Sequence, residues 1–204
     1  MDVKVLEKSE RAMRVRIEGI DFAMANALRR IMMGEIPVMA IEHVDIVSNS
    51  SGLVDETLAH RLGLLPLKWP DGRYNLPSEC GCKGKGCSKC QAAFTLEKSG
   101  PATVRAADLV PEDKDVAPMD ANVPIVELLE NQSIKLTALA QLGLGREHAK
   151  WQAAIVGYEQ RGNAFTFSIE STCGLSAAEV FEKALDVLAA QADEFAKAAK
   201  KELK

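Results

Sequence analysis

Asp21-Phe-Ala-Met-Ala-Asn-Ala-Leu-Arg-Arg-Ile-Met-Met-Gly34 is the stretch around which the rest of the chain falls into order. Ala25, Leu28 and Met32 share one helical face, Asp21 suits the N-cap, and Gly34 suits a left-handed stop ahead of Pro37. Upstream, residues 12–18 set Met13, Val15 and Ile17 against Arg14, Arg16 and Glu18, the period of a half-buried strand. Downstream, residues 39–47 read as a second strand ended by Ser48-Asn-Ser-Ser-Gly52, and 54–62 as a short helix closed by Gly63.

From Lys68 to about Pro124 the apolar stretches shorten and Pro, Gly, Lys and Asp become frequent. That composition predicts a loop-rich insert without an independent core, with strands near 93–97, 102–104 and 133–140. Regularity returns at 155–158 and 164–170, which flank Gln160-Arg-Gly-Asn163 as a hairpin. A long helix ends the chain. Ser176 and Glu179 have capping-box spacing, and Val180, Phe181, Ala184, Leu185, Leu188, Ala192, Phe195 and Ala199 form a continuous stripe. Lys197, Lys200, Lys201 and Lys204 gather where cations complement the helix dipole. At 1.5 Å per residue this helix runs about 40 Å, more than so small a domain covers easily, so its stripe suits packing against a helix of another subunit. The fold class is α+β, with regular elements at both ends enclosing an irregular middle.

With 204 residues and 47% hydrophobic content the chain can bury a sizeable core. A net charge of -4 argues against a broad nucleic-acid surface, which needs clustered Lys and Arg. Direct binding to nucleic acid is not expected. No apolar run is long enough to span a bilayer and the N-terminus does not have the order of a signal peptide, so the expected location is the cytoplasm.

Cys80-x-Cys82-x4-Cys87-x2-Cys90 is the most chemical feature of the chain. Four thiolates at these spacings can close a tetrahedron around zinc, glycines 81, 84 and 86 let the backbone turn tightly, and Lys83, Lys85 and Lys89 offset the negative charge. An iron-sulfur cluster, or a loop without metal and either reduced or disulfide-bonded, are the alternatives. A closed site of four cysteines is structural because it leaves no position for water or substrate. His60 and His148 lack an accompanying nucleophile; Glu56 one turn before His60 permits an ordinary i,i+4 pair, and a surface contact or a structural hydrogen bond is expected of His148 in place of catalysis.

Three segments carry a resemblance: Asn26-Ala-Leu-Arg-Arg-Ile31, Glu56-Thr-Leu-Ala-His-Arg-Leu-Gly-Leu-Leu-Pro-Leu67 and Gly143-Leu-Gly-Arg-Glu-His-Ala-Lys-Trp151. In this order they resemble the assembly subunit of cellular RNA polymerases, the bacterial alpha amino-terminal domain and its archaeal and eukaryotic counterparts, with the wording around His60 closest to the archaeal and eukaryotic branch. The resemblance implies a discontinuous dimerisation domain, residues 1–38 and 153–204, around an insert domain of residues 39–152 that contains the four-cysteine loop. It also implies a heterodimer with a small alpha-like subunit, through the terminal helix (Val180, Phe181, Leu185, Leu188, Phe195) and the first helix. Asn26, Arg29, Arg30, His60 and Arg61 become candidates for binding the second-largest and other polymerase subunits, with Arg30 foremost because an arginine fork in an apolar helix makes a bidentate anchor. Asn26 is better suited to holding local backbone. Some archaeal relatives insert a cluster-bearing ferredoxin-like domain; no second Cys group follows Cys90 here, only Cys173. The implied function is a non-catalytic scaffold of the polymerase, against the alternative of a stand-alone zinc-binding interaction module.

Overall fold

In the computed structural model, which describes residues 1–203, the alternation at 12–18 becomes a strand whose apolar residues are buried and whose charged ones face out. In chain order the elements begin with β1 (Asp2–Lys8), β2 (Ala12–Glu18), α1 (Phe22–Gly34), β3 (Val38–Asn49), α2 (Asp55–Gly63) and β4 (Leu67–Lys68). Then come β5 (Gln91–Ser99), β6 (Ala102–Arg105), β7 (Val110–Pro111), β8 (Ala117–Pro118), β9 (Pro124–Leu128) and β10 (Ser133–Gly143). The chain closes with β11 (Ala154–Arg161), β12 (Ala164–Ser171) and α3 (Ala177–Glu202).

Two units share these elements: Met1–Pro37 with Leu144–Lys204, and Val38–Gly143. In the first, an antiparallel sheet in the order β1-β2-β12-β11 carries α1 and α3. The cross-strand pairs Val15↔Phe167, Ile17↔Phe165 and Met13↔Ile169 put the apolar halves of β2 and β12 on one face. These residues are all buried, as are Leu28 and Met32 of α1 and Val180 and Ala184 of α3. The β11–β12 hairpin turns at Gly162, whose φ of 61° explains a glycine there.

Both helix starts follow their caps. Asp21 Oδ1 accepts the Met24 N–H at 2.8 Å, and the capping box is reciprocal, with Glu179 N–H to Ser176 Oγ at 3.2 Å and Ser176 N–H to Glu179 Oε2 at 2.7 Å. The expected left-handed stop at Gly34 is not used. The cap residue Glu35 remains right-handed with its N–H on the Ile31 carbonyl, and the Gly34 carbonyl takes the Arg146 N–H at 3.2 Å. In α3 the buried residues are Ala177, Val180 and Ala184, all in its first turns, while Leu185 and Phe195 stay 42% and 77% exposed. Lys197, Lys200 and Lys201 are exposed near its end, and Lys204 lies outside the described residues.

The second unit overturns the expectation of an insert without a core. β10 pairs with β3 on one side and β5 on the other, giving a sheet in the order β3-β10-β5-β7. Ile134, Leu136, Ala138 and Ala140 of β10 thereby join Ala92, Phe94 and Leu96 of β5, Met39 and Ile41 of β3, and Leu58 and Leu62 of α2 in one buried cluster. The short ladders β4–β8 and β6–β9 add Leu67, Val104 and Val126. The short apolar stretches between Lys68 and Pro124 are thus pooled with the longer apolar strands β3 and β10 by long-range pairing.

The division between units falls at Gly143/Leu144, whereas the sequence reading drew it at 152/153. Residues 144–152 go with the first unit because Gly145 lies against the end of α1, where a Cβ would come within 2.3 Å of the Met33 carbonyl oxygen, and because Arg146 pairs with Glu35 at 2.9 Å. Among the described residues no helix is long and apolar enough to cross a membrane.

Candidate metal centre and partner-binding surfaces

The loop from Cys80 to Cys90 turns back on itself through short backbone bonds: Lys83 N–H to the Cys80 carbonyl at 2.9 Å, Lys85 N–H to Cys82 at 3.3 Å, and both Cys90 and Gln91 N–H to Cys87 at 2.9 Å. Lys83, Gly84 and Gly86 have φ of 56°, 77° and 84°, a left-handed backbone that favours glycine at 84 and 86, and the Gln91 amide end lies where a Cβ on Gly86 would go. The base of the loop is held by the Asn75 N–H on the Lys89 carbonyl at 2.9 Å. Beside it Tyr74 donates its hydroxyl proton to Asp113 at 2.5 Å, while Arg73 pairs with Asp113 and Asp115 at 3.3 and 2.6 Å.

These turns bring four sulfurs together. Cys80 and Cys87 Sγ are 3.6 Å apart, Cys82 and Cys90 3.6 Å, Cys87 and Cys90 3.8 Å, and all four lie within 4.8 Å of one another. A tetrahedron with metal–sulfur bonds of about 2.3 Å has edges of about 3.8 Å, so the donor set fits a single tetrahedral ion. A cluster of several irons gives different thiolates different irons and spreads them wider. All four cysteines are free thiols, Cys80 and Cys90 buried and Cys82 and Cys87 half-buried. Burial pushes the Cys90 thiol up to about 12, against the Cys87 backbone bond and with help from the Cys82 and Cys87 thiols. For Cys82 burial also opposes ionisation, but hydrogen bonds from Cys80 and Cys90 outweigh it and bring the thiol down to about 7. An ion bound here displaces the remaining protons.

The two adjacent arginines of α1 behave differently. Arg29 is half-buried and engaged locally, donating to Asn26 Oδ1 at 3.2 Å and to Met33 Sδ at 3.3 Å. Asn26 therefore holds this guanidinium and not local backbone. Arg30 is exposed and has no partner among the described residues. In α2, His60 is exposed and makes no ion pair with Glu56, whereas Arg61 Nη1 donates to the Ile125 carbonyl of β9 at 2.8 Å. His148, also exposed, accepts the Lys150 N–H on Nδ1 at 3.1 Å and sets its ring edge-on to Trp151. In α3, Val180 is fully buried, Phe181 and Leu188 are half-buried, and Leu185 and Phe195 are exposed, so the candidate partner-binding stripe emerges progressively from the fold.

Two features were missed by the sequence reading. The packing of Gly145 and Arg146 under the end of α1 joins residues far apart in the chain, and the close glycines at 143 and 145 were its sole trace. Arg61 as a tether between α2 and β9 left no local trace.

The model of the RNA polymerase Rpb3/RpoA insert domain matches residues 33–157 of the chain. The DNA-directed RNA polymerase subunit Rpo3 of Methanosarcina acetivorans is 42% identical over 183 residues, covering 88% of this chain and 68% of the relative. The chain belongs to the RNA polymerase Rpb3/RpoA family. The Rpo3 of Archaeoglobus fulgidus is 43% identical over 155 residues, 76% of this chain and 59% of the relative, and that of Pyrococcus furiosus 38% identical over 159 residues, 78% and 59%. This Rpb3/RpoA-family chain thus spans about three fifths of the length of two of these relatives. The matched region includes the end of α1, α2, the cysteine loop and the segment around Arg146.

Proposed function

We propose that the chain is a non-catalytic assembly subunit of a DNA-directed RNA polymerase, working in the cytoplasm. In this reading the first unit, residues 1–37 and 144–204, serves as a dimerisation domain that pairs through α1 and α3 with a small alpha-like subunit. Arg30 of α1 and the exposed side of α2, His60 included, engage the second-largest subunit. Zinc held by Cys80, Cys82, Cys87 and Cys90 braces the insert domain, residues 38–143. Nucleotidyl transfer is assigned to other subunits and no catalytic residue to this one.

The match to Rpo3 relatives over 88% of the chain carries this reading. The exposure of Phe195 and Leu185 supports the pairing, since a long apolar stripe left open by its own fold gains by being covered. A free guanidinium on Arg30, next to an Arg29 already engaged, supports its role as an anchor. The relatives named above, all RNA polymerase subunits, do not favour the rival reading of a stand-alone zinc module.

Reconstitution from separate subunits is the test. Arg30→Ala should leave pairing with the small subunit intact and weaken recruitment of the second-largest subunit, with Arg30→Lys rescuing in part because a point charge does not reproduce a bidentate fork. Normal assembly with lost RNA synthesis would overturn the scaffold reading.

A further inference from the structure

The two halves of the cysteine loop are held by different means. Cys87 and Cys90 stand at the start of β5: the Cys90 and Gln91 N–H groups both close on the Cys87 carbonyl at 2.9 Å, and Gln91 opens the strand. Gln91 also donates from its side chain to Gln141 of β10 at 3.4 Å, so this half is built on the sheet. Cys80 and Cys82 belong to no strand. Their turns are local, with the Glu79 N–H on the Leu76 carbonyl at 3.0 Å and the Lys83 N–H on the Cys80 carbonyl at 2.9 Å.

The chain leading into this first half is held from outside the loop. Tyr74 lies in the buried cluster of the unit together with Val116, and gives its hydroxyl proton to Asp113 at 2.5 Å. Arg73 pairs with the same carboxylate at 3.3 Å, and the Asp115 N–H donates to its Oδ1 at 3.1 Å. The Tyr74 hydrogen bond and the Asp115 N–H hold the Asp113 carboxyl below the usual carboxylate range, so it is ionised and able to accept all three. The segment bearing Asp113 is itself fixed to β5, through the pairs Thr95↔Val110 and Phe94↔Pro111 and the Glu112 N–H on the Ala93 carbonyl at 2.9 Å. One carboxylate therefore ties the incoming chain to the same strand on which the outgoing half is built.

We infer that Asp113 is a positioning residue for the metal, which by gripping Tyr74 and Arg73 sets the Cys80–Cys82 half at binding distance from the Cys87–Cys90 half. This rests on the zinc reading above and goes beyond it, since the sulfur donor set is complete without Asp113. The two 3.6 Å sulfur contacts, Cys80 with Cys87 and Cys82 with Cys90, each cross from one half to the other. An ion that joins the halves removes whatever freedom the first half retains. A half already held by Asp113 loses less on binding, and so gives up the ion more slowly.

The experiment loads the full chain with zinc under reducing conditions and follows transfer of the metal to an excess of a chromophoric chelator. Asp113→Ala should speed transfer about tenfold, the lower end of the effect of losing a group that orients metal ligands. Tyr74→Phe should act in the same direction, and Asp113→Asn, which keeps an oxygen to accept the Tyr74 proton, should restore part of the difference. The double variant Tyr74→Phe/Asp113→Ala should release zinc no faster than Asp113→Ala alone, because both changes cut one connection. Arg61→Ala is the control, since it loosens the same unit at β9 and should leave transfer at the unaltered rate. Equal acceleration by Arg61→Ala and Asp113→Ala would make Asp113 a general contributor to stability and overturn the inference, as would transfer indifferent to Asp113→Ala. If Asp113→Ala does not fold, Tyr74→Phe decides, and an unaltered rate in that variant overturns the inference. Failure of the unaltered chain to bind zinc would overturn the zinc reading and the inference with it; zinc held equally by all variants overturns the inference alone.

Discussion

Arg61 and Ile125 are joined across 64 residues of sequence: the guanidinium Nη1 donates to the carbonyl oxygen at 2.8 Å and ties α2 to β9. Arg61→Ala should therefore lower the stability of the 38–143 unit by about 1–2 kcal/mol, the usual range for a charged donor on a partly buried carbonyl. His60→Ala, one residue earlier and exposed, should change stability by less than about 0.5 kcal/mol. Urea unfolding of both variants checks this, and equal effects would remove the tether from Arg61.

Four sulfurs at tetrahedral spacing should hold one metal ion per chain. Protein purified under reducing conditions should carry about one zinc by elemental analysis, and Cys90→Ser should lose it because that thiol is the most buried of the set, at 1%. Cys173→Ser should keep the metal. Iron with visible absorbance would replace the zinc assignment, and absence of both metals would refute it.

Along α3, substitutions at a buried and at an exposed position should be felt in different measurements. Val180 is fully buried, so Val180→Ala should cost about 1–3 kcal/mol in folding. Phe195 is 77% exposed, so Phe195→Glu should leave the melting temperature of the chain almost unaltered yet reduce pairing with the small subunit. Size-exclusion chromatography of co-expressed subunits reads the second effect. A Phe195→Glu chain that pairs normally would place the partner elsewhere.

Tyr74 gives a pH signature. Burial, reinforced by its hydrogen bond to the Asp113 carboxylate, raises its phenol from 10.0 to about 12. The folded chain keeps this proton where the unfolded chain has lost it, so the contribution of Tyr74 is fully present below pH 10 and is lost as pH rises toward 12. Tyr74→Phe should be less stable at neutral pH by about 1 kcal/mol and should show a shallower alkaline decline between those two values. Denaturant midpoints measured across that window decide it; parallel curves would mean that Tyr74 does not titrate with unfolding.

Features set within a few residues were legible in the order of the amino acids. The Asp21 cap, the Ser176–Glu179 capping box, the hairpin at Gly162 and the turns of the cysteine loop each depend on hydrogen bonds or backbone angles confined to a few neighbouring positions, and all are visible as residue choices. The strands of the second unit were visible piecemeal, but not that they share a core, because the pooling of β3, β5 and β10 depends on register and on pairing between segments far apart in the chain, such as Gly143 with Val38 and Gln141 with Gln91. Nor could residue type say that Arg29 is held by Asn26 and Met33 while Arg30 stands free, since neighbours on a helix diverge by about 100° and only the packing decides which turns outward. Residues 144–152 joined the first unit for the same kind of reason: a glycine that fits against Met33 and an arginine that reaches Glu35 have no meaning until the fold brings the end of α1 beside them.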